Sequence, residues 1–81
     1  MRGTVKFFAA LREAVGRSGA EWDLAEGATV EALLAHLQAS LPGLAGWTGR
    51  IKIAVNHCYA APGTPLQEGD EVALFPPVSG G

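Results

Sequence analysis

The sequence predicts an α+β fold in which one sheet of four to five strands packs on a single main helix. Stretches near both ends of the chain alternate apolar and polar residues with the period of a half-buried strand. From Thr29 the period changes, and Val30, Leu33, Leu34, Leu37 and Leu41 fall at helical spacing. The 81 residues carry no internal repeat and no linker, which leaves room for one domain and one core. A sheet laid over one amphipathic helix is the simplest way to bury both kinds of stripe.

The elements follow in order. Thr4 to Phe8 reads as a strand with Val5 and Phe7 on one face and Lys6 and Phe8 on the other, so both faces carry a large apolar group. Ala9 to Val15 is a short helix stopped by Gly16, which suits the left-handed conformation past a helix end. Glu21 to Leu24 sets Trp22 and Leu24 against Glu21 and Asp23, the pattern of a half-buried strand. Thr29 stands as N-cap of the long helix, and Glu31 lies in the first turn, where the helix dipole favours negative charge. Pro42-Gly43 ends that helix. Gly43 to Gly49, punctuated by glycines, reads as a loop whose packing anchor is Trp47.

Arg50 to Val55 places Ile51, Ile53 and Val55 on a buried face against Arg50, Lys52 and Ala54. Asn56-His57 opens a turn into a short strand around Cys58 to Ala60. Pro62-Gly63-Thr64-Pro65 forbids regular structure, and Glu68-Gly69-Asp70 signals a turn before the last strand, Glu71 to Phe75. In that strand Val72 and Leu74 face one way, Ala73 and Phe75 the other.

Composition narrows the function. With 48% hydrophobic and 17% charged residues and a net charge of −2, the chain suits a compact folded protein. Its cations, Arg2, Lys6, Arg12, Arg17, Arg50 and Lys52, are scattered, so no stripe exists to displace counterions from a phosphate backbone and nucleic acid is not an expected partner. No apolar segment approaches the roughly 20 residues of a membrane helix. Met1 leads directly into a strand with no secretion signal, and a single cysteine forms no internal disulfide; both point to the cytoplasm.

The most informative segment follows the last strand: Pro76-Pro77-Val78-Ser79-Gly80-Gly81. The prolines favour an extended path and donate no backbone hydrogen bonds, so the chain divides into a domain over residues 1–75 and an extended tail over 76–81. Six extended residues reach at most about 20 Å. Glycine has no Cβ, so a Gly-Gly end is the thinnest peptide available and enters channels too narrow for side chains. Coupled to ATP as an acyl-adenylate, the Gly81 carboxylate becomes reactive, and a sulfur nucleophile then converts it to a thiocarboxylate.

Other chemistry-bearing residues receive plainer readings. Cys58 has no flanking cation or helix dipole evident from sequence and is expected as a small packed hydrophobe. His36 falls on the polar face of the long helix. His57 beside Cys58 is a meagre metal pair, since a structural zinc site wants four ligands. Glu68, Asp70 and Glu71 form an acidic cluster, read as a solubilising turn or, alternatively, as an aid to recognition by a basic surface.

Taken in order, Phe7-Phe8-Ala9, Leu11-Arg12-Glu13, Gly16, Thr29-Val30-Glu31-Ala32-Leu33, Ala54-Val55-Asn56, Leu66, Gly69-Asp70-Glu71-Val72-Ala73 and Phe75-Pro76-Pro77-Val78-Ser79-Gly80-Gly81 resemble the molybdopterin synthase small-subunit family of ubiquitin-like sulfur carriers. The resemblance spans nearly the whole chain and implies a β-grasp fold. It also implies a division of labour in which an E1-like adenylyltransferase uses ATP and Mg²⁺ to adenylate Gly81 and a sulfurtransferase supplies sulfur. The thiocarboxylated tail then enters the large subunit, in an expected heterotetramer, and donates sulfur to cyclic pyranopterin monophosphate. Two carriers complete the dithiolene of molybdopterin. The small subunit is implied to bind no cofactor or metal and to act only through Gly81 and Gly80.

Side-chain parity adds a surface. Phe8 and Phe75 point away from the core face and lie together if the first and last strands pair. With Tyr59 they are expected to dock on the large subunit and on the adenylyltransferase, with Pro76, Pro77, Val78 and Ser79 following into the partner. Two other readings share the tail chemistry: a sulfur carrier for another pathway, such as that of the thiamine thiazole, and a protein modifier that joins Gly81 to a lysine of a target.

Overall fold

The computed structural model describes residues 1–47 and 51–77. Its elements are β1 (Arg2–Phe7), α1 (Ala9–Val15), β2 (Gly19–Asp23), α2 (Val30–Ser40), a 3-10 helix (Pro42–Trp47), β3 (Lys52–Val55), β4 (Cys58–Tyr59) and β5 (Glu71–Phe75). The five strands form one mixed sheet in the order β2-β1-β5-β3-β4. β5 sits at its centre, parallel to β1 and antiparallel to β3.

Parity sets the core. Val5 and Phe7 of β1, Trp22 of β2, and Val72 and Leu74 of β5 face inward and are buried. They form one cluster with Val30, Leu33 and Leu37 of α2, Leu11 of α1, Leu44 and Leu66. No polar side chain is buried among the described residues, so burial of apolar surface is the main stabilising contribution.

Both helix ends show why the sequence stops them there. Gly16, past the end of α1, has a φ of 84° and donates its N–H to the Arg12 carbonyl, as a left-handed C-cap does. At the start of α2, the first three N–H groups of the helix, which lack an intrahelical partner, are satisfied. Val30 donates to the Thr64 carbonyl and Glu31 to that of Pro62, each at 2.9 Å, while Ala32 donates to Thr29 Oγ1; Leu33, donating to the Thr29 carbonyl, opens the helix's own ladder. The Pro62–Pro65 loop, which cannot form regular structure itself, is therefore used as a cap.

Two sequence readings are corrected here. Gly43 to Gly49 was expected as loop, yet Pro42–Trp47 winds into a 3-10 helix, and its anchor is fully buried Leu44; Trp47 is only half-buried. Gly43 lets this segment meet α1, since a Cβ there would collide with the Ala14 carbonyl. In β3 the expected buried face, Ile51, Ile53 and Val55, is half-buried, whereas Ala54 on the opposite face is buried. The fully buried inward positions belong to β1, β2 and β5, and the inward side chains of β3 pack against that core only in part. Arg50 lies outside the described residues, and β3 begins at Lys52.

The acidic turn is structural, which neither sequence reading anticipated. The Asp70 carboxylate accepts from Gln67 N at 2.8 Å and from Asn56 Nδ2 at 2.9 Å, and Asn56 Oδ1 accepts from Glu71 N. The Asp70 carbonyl accepts from Thr4 N, and the Glu68 carboxylate from Arg2 N. One turn thus ties β1, β5 and the β3–β4 hairpin together, with its carboxylates spent on backbone and amide donors.

Candidate functional site

β1 and β5 run parallel, so both deliver the chain to the same edge of the domain. There Phe8, the N-cap of α1, donates its N–H to the Leu74 carbonyl at 3.2 Å. This fixes the Phe8 side chain beside that of Phe75, one register step beyond the Phe7–Leu74 pair. The rings stack with centroids 4.8 Å apart and planes inclined by 10°, a favourable aromatic geometry when the rings are offset. The pairing expected from strand parity is present.

This stack belongs to the outer sheet face, away from α2. Ala73 of β5 and Ala54 of β3 are register partners on that face, and Tyr59 of β4 pairs with Ala54. The two alanines form the floor of a depression of about 320 Å³, rimmed by Phe8, Phe75 and Tyr59 at one side and by Lys6, His57 and Glu71 at the other. Phe8 is 40% exposed and Tyr59 80%, the two large hydrophobic side chains most open to solvent among the described residues. Phe75 is half-buried, in part by Phe8. Exposed apolar groups gathered in this way mark partner surfaces more often than chance scatter does.

Sequence reasoning missed the alanine floor, though the signal was present. Ala54 and Ala73 share parity with Phe75, and small residues between large ones leave a recess.

The tail leaves from this place. Pro76 and Pro77 follow β5 without regular structure and are half-buried. Pro77 lines an open apolar groove with Leu34, Ile51, Ile53 and Tyr59. Val78, Ser79, Gly80 and Gly81, which carry the expected chemistry, lie outside the described residues.

The remaining candidates are placed as follows. Cys58 is exposed on the edge strand β4, not packed, because only two residues of β4 pair and no described element covers that edge. His36 is exposed on α2. His57 is exposed, with Nε2 3.9 Å from a Glu71 carboxylate oxygen. Among the described residues no three His, Cys, Asp or Glu side chains gather where they could hold a metal ion. Nor is any helix among them long and apolar enough to cross a membrane. What the site offers is an exposed aromatic surface at the point where the chain leaves β5.

Comparison with known proteins supports that outline. The chain is 46% identical over 79 residues to the molybdopterin synthase sulfur carrier subunit of Escherichia coli, covering 95% of this chain and 96% of that one. Its structure matches SAMP1 from Haloferax volcanii with a TM-score of 0.89 at 35% identity over the full length of both chains. It also matches a chain in the complex of subunits 1 and 2 of the molybdopterin-converting factor from Helicobacter pylori, with a TM-score of 0.73 at 32% identity over all of both chains. The model of the ThiS family fits residues 5–81. A match of that extent, on a five-stranded mixed sheet covering one main helix, means that the chain belongs to the ThiS family and has the ubiquitin-like β-grasp fold.

Proposed function

We propose that this chain is the sulfur carrier subunit of a molybdopterin synthase and that Gly81 bears the sulfur. The observation that carries this reading is the exposed Phe8–Phe75 stack at the point where the central strand hands the chain to its Gly-Gly tail. The 46% identity to the Escherichia coli sulfur carrier subunit supports it. A partner that covers the rings receives the tail at the same place, so one docking event positions the reactive end.

In this reading the Gly81 carboxylate attacks the α-phosphate of ATP on an E1-like adenylyltransferase that also holds Mg²⁺. Pyrophosphate leaves and a mixed anhydride forms. A sulfur nucleophile at the sulfide oxidation level, supplied through a sulfurtransferase, adds to the acyl carbon and AMP departs, leaving a thiocarboxylate. Phe8, Tyr59 and Phe75 then dock on the large subunit, and Pro76 to Ser79 lead the end to cyclic pyranopterin monophosphate. Two carriers supply the two sulfurs of the dithiolene, in accord with a heterotetramer. The chain itself contributes no acid, base, metal or bound cofactor.

The similarity to SAMP1, a small archaeal modifier protein, favours a second reading in which Gly81 is joined to a lysine of a target protein. Intact-mass analysis of protein purified from its own host separates the two. The carrier reading expects the mass gain of one sulfur-for-oxygen exchange at the C-terminus; lysine conjugates without that gain would favour the modifier.

A further inference from the structure

Lysine and arginine side chains other than Lys52 on the described outer sheet face are matched within the chain. Arg2 Nε lies 3.4 Å from an Asp23 carboxylate oxygen, and Lys6 Nζ 3.6 Å from one of Glu71. His57 reaches the other Glu71 oxygen at 3.9 Å. Lys52 differs. It is exposed, and among the described residues it has no ion pair and no side-chain hydrogen bond. Glu31 of α2 lines the same groove but makes no ion pair with it.

Its position gives this unmatched charge a meaning. Lys52 is the register partner of Phe75 across β3 and β5, on the same outer face. Two residues further along β3, Ala54 is the partner of Tyr59. Lys52 is therefore adjacent to Phe75 and diagonal to Tyr59, within the spacing at which cross-strand side chains interact. It also lines the groove that Pro77 enters. Any surface that closes over the rings at the tail root also covers the Lys52 stem and draws its ammonium out of water. Without a counter-charge that transfer is costly.

We infer that the partner surface covering Phe8, Phe75 and Tyr59 carries a carboxylate placed to meet Lys52, and that this pair speeds association and helps select the partner. The inference rests on the reading of the ring patch as the docking face for the large subunit. It adds the chemistry the partner must show there: an apolar recess with an acidic rim. A charge at an interface rim acts chiefly on the association rate and its salt dependence, which gives the pair a signature distinct from packing.

The test measures association and dissociation rates of the purified large subunit with the full-length chain, with Lys52→Glu, with Lys52→Arg and with Phe75→Asp, at low and at high salt. Lys52→Glu is expected to slow association about 10-fold at low salt, with the gap closing at high salt, while Lys52→Arg binds as the parent does. Circular dichroism of Lys52→Glu matching the parent confirms that it is folded. If Phe75→Asp abolishes binding but Lys52→Glu associates as the parent does, or remains equally slow at high salt, the role given to Lys52 is overturned and the docking face stands. If Phe75→Asp binds as tightly as the parent, the docking face fails and Lys52 with it.

Discussion

His57 occupies a backbone conformation its side chain does not favour. It is the second residue of the two-residue turn joining β3 to β4, with a φ of 72°, and Asn56 before it has a φ of 49°. Two left-handed residues match the twist of the flanking strands in such a hairpin. Both carry a Cβ that crowds the following carbonyl oxygen there, a cost that Asn56 offsets through its side-chain hydrogen bonds to Asp70 and Glu71 and that exposed His57 does not. His57→Gly should relieve this and raise the unfolding free energy by about 0.5–1 kcal/mol, read from urea denaturation. Loss of the exposed His57–Glu71 contact subtracts little. The turn itself was legible, because Asn56-His57 interrupts alternation between two apolar runs. Exposure of Cys58 was not: composition shows a small hydrophobe, whereas exposure depends on β4 being a two-residue edge strand.

Among the elements, β5 links stability to the proposed docking face. Its inward residues Val72 and Leu74 are buried in the core, while Phe75 on the other face packs on Phe8. The two faces make separable contributions. Phe75→Asp should lower unfolding free energy by about 1 kcal/mol, the worth of a partly exposed aromatic pair, yet abolish complex formation with the large subunit because a central aromatic anchor is lost. Calorimetric titration paired with thermal melting checks both; outright unfolding would place Phe75 in the core instead. Helix and strand identities were legible from periodicity, down to the Thr29 and Gly16 caps. Coverage was not. Alternation in β3 reveals which residues share a face, but how fully that face is covered depends on tertiary packing, and Ile51 and Ile53 border an open groove shared with Leu34 of α2. The 3-10 helix was hidden for a related reason. Gly43 reads locally as flexibility, whereas its role is the close approach to Ala14.

At the scale of the whole molecule, the fold is a rigid base and the chemistry is proposed for its last residue. The base is closed by the acidic turn, where the Glu68 and Asp70 carboxylates accept from backbone N–H groups, and by the capped first turn of α2, so neither is left as a free anion or cation site. Sequence pointed to the tail because Pro-Pro and Gly-Gly have few structural uses in that order. It could not reveal Lys52 as an unmatched charge, because that depends on the register of β3 against β5. Removing Gly81 should alter unfolding free energy by less than about 0.5 kcal/mol, as for a change remote from the core. Reach, by contrast, should fall by roughly 3.5 Å, enough to misplace the reacting atom by far more than the ångström that costs about 100-fold. The most direct measurement is single-turnover sulfur transfer on the large subunit, with cyclic pyranopterin monophosphate as acceptor. It compares the chain thiocarboxylated at Gly81 with one ending in a thiocarboxylated Gly80. The dithiolene should form from the first, two carriers consumed for each product, and at least about 100-fold more slowly from the second; equal rates from both would contradict the account.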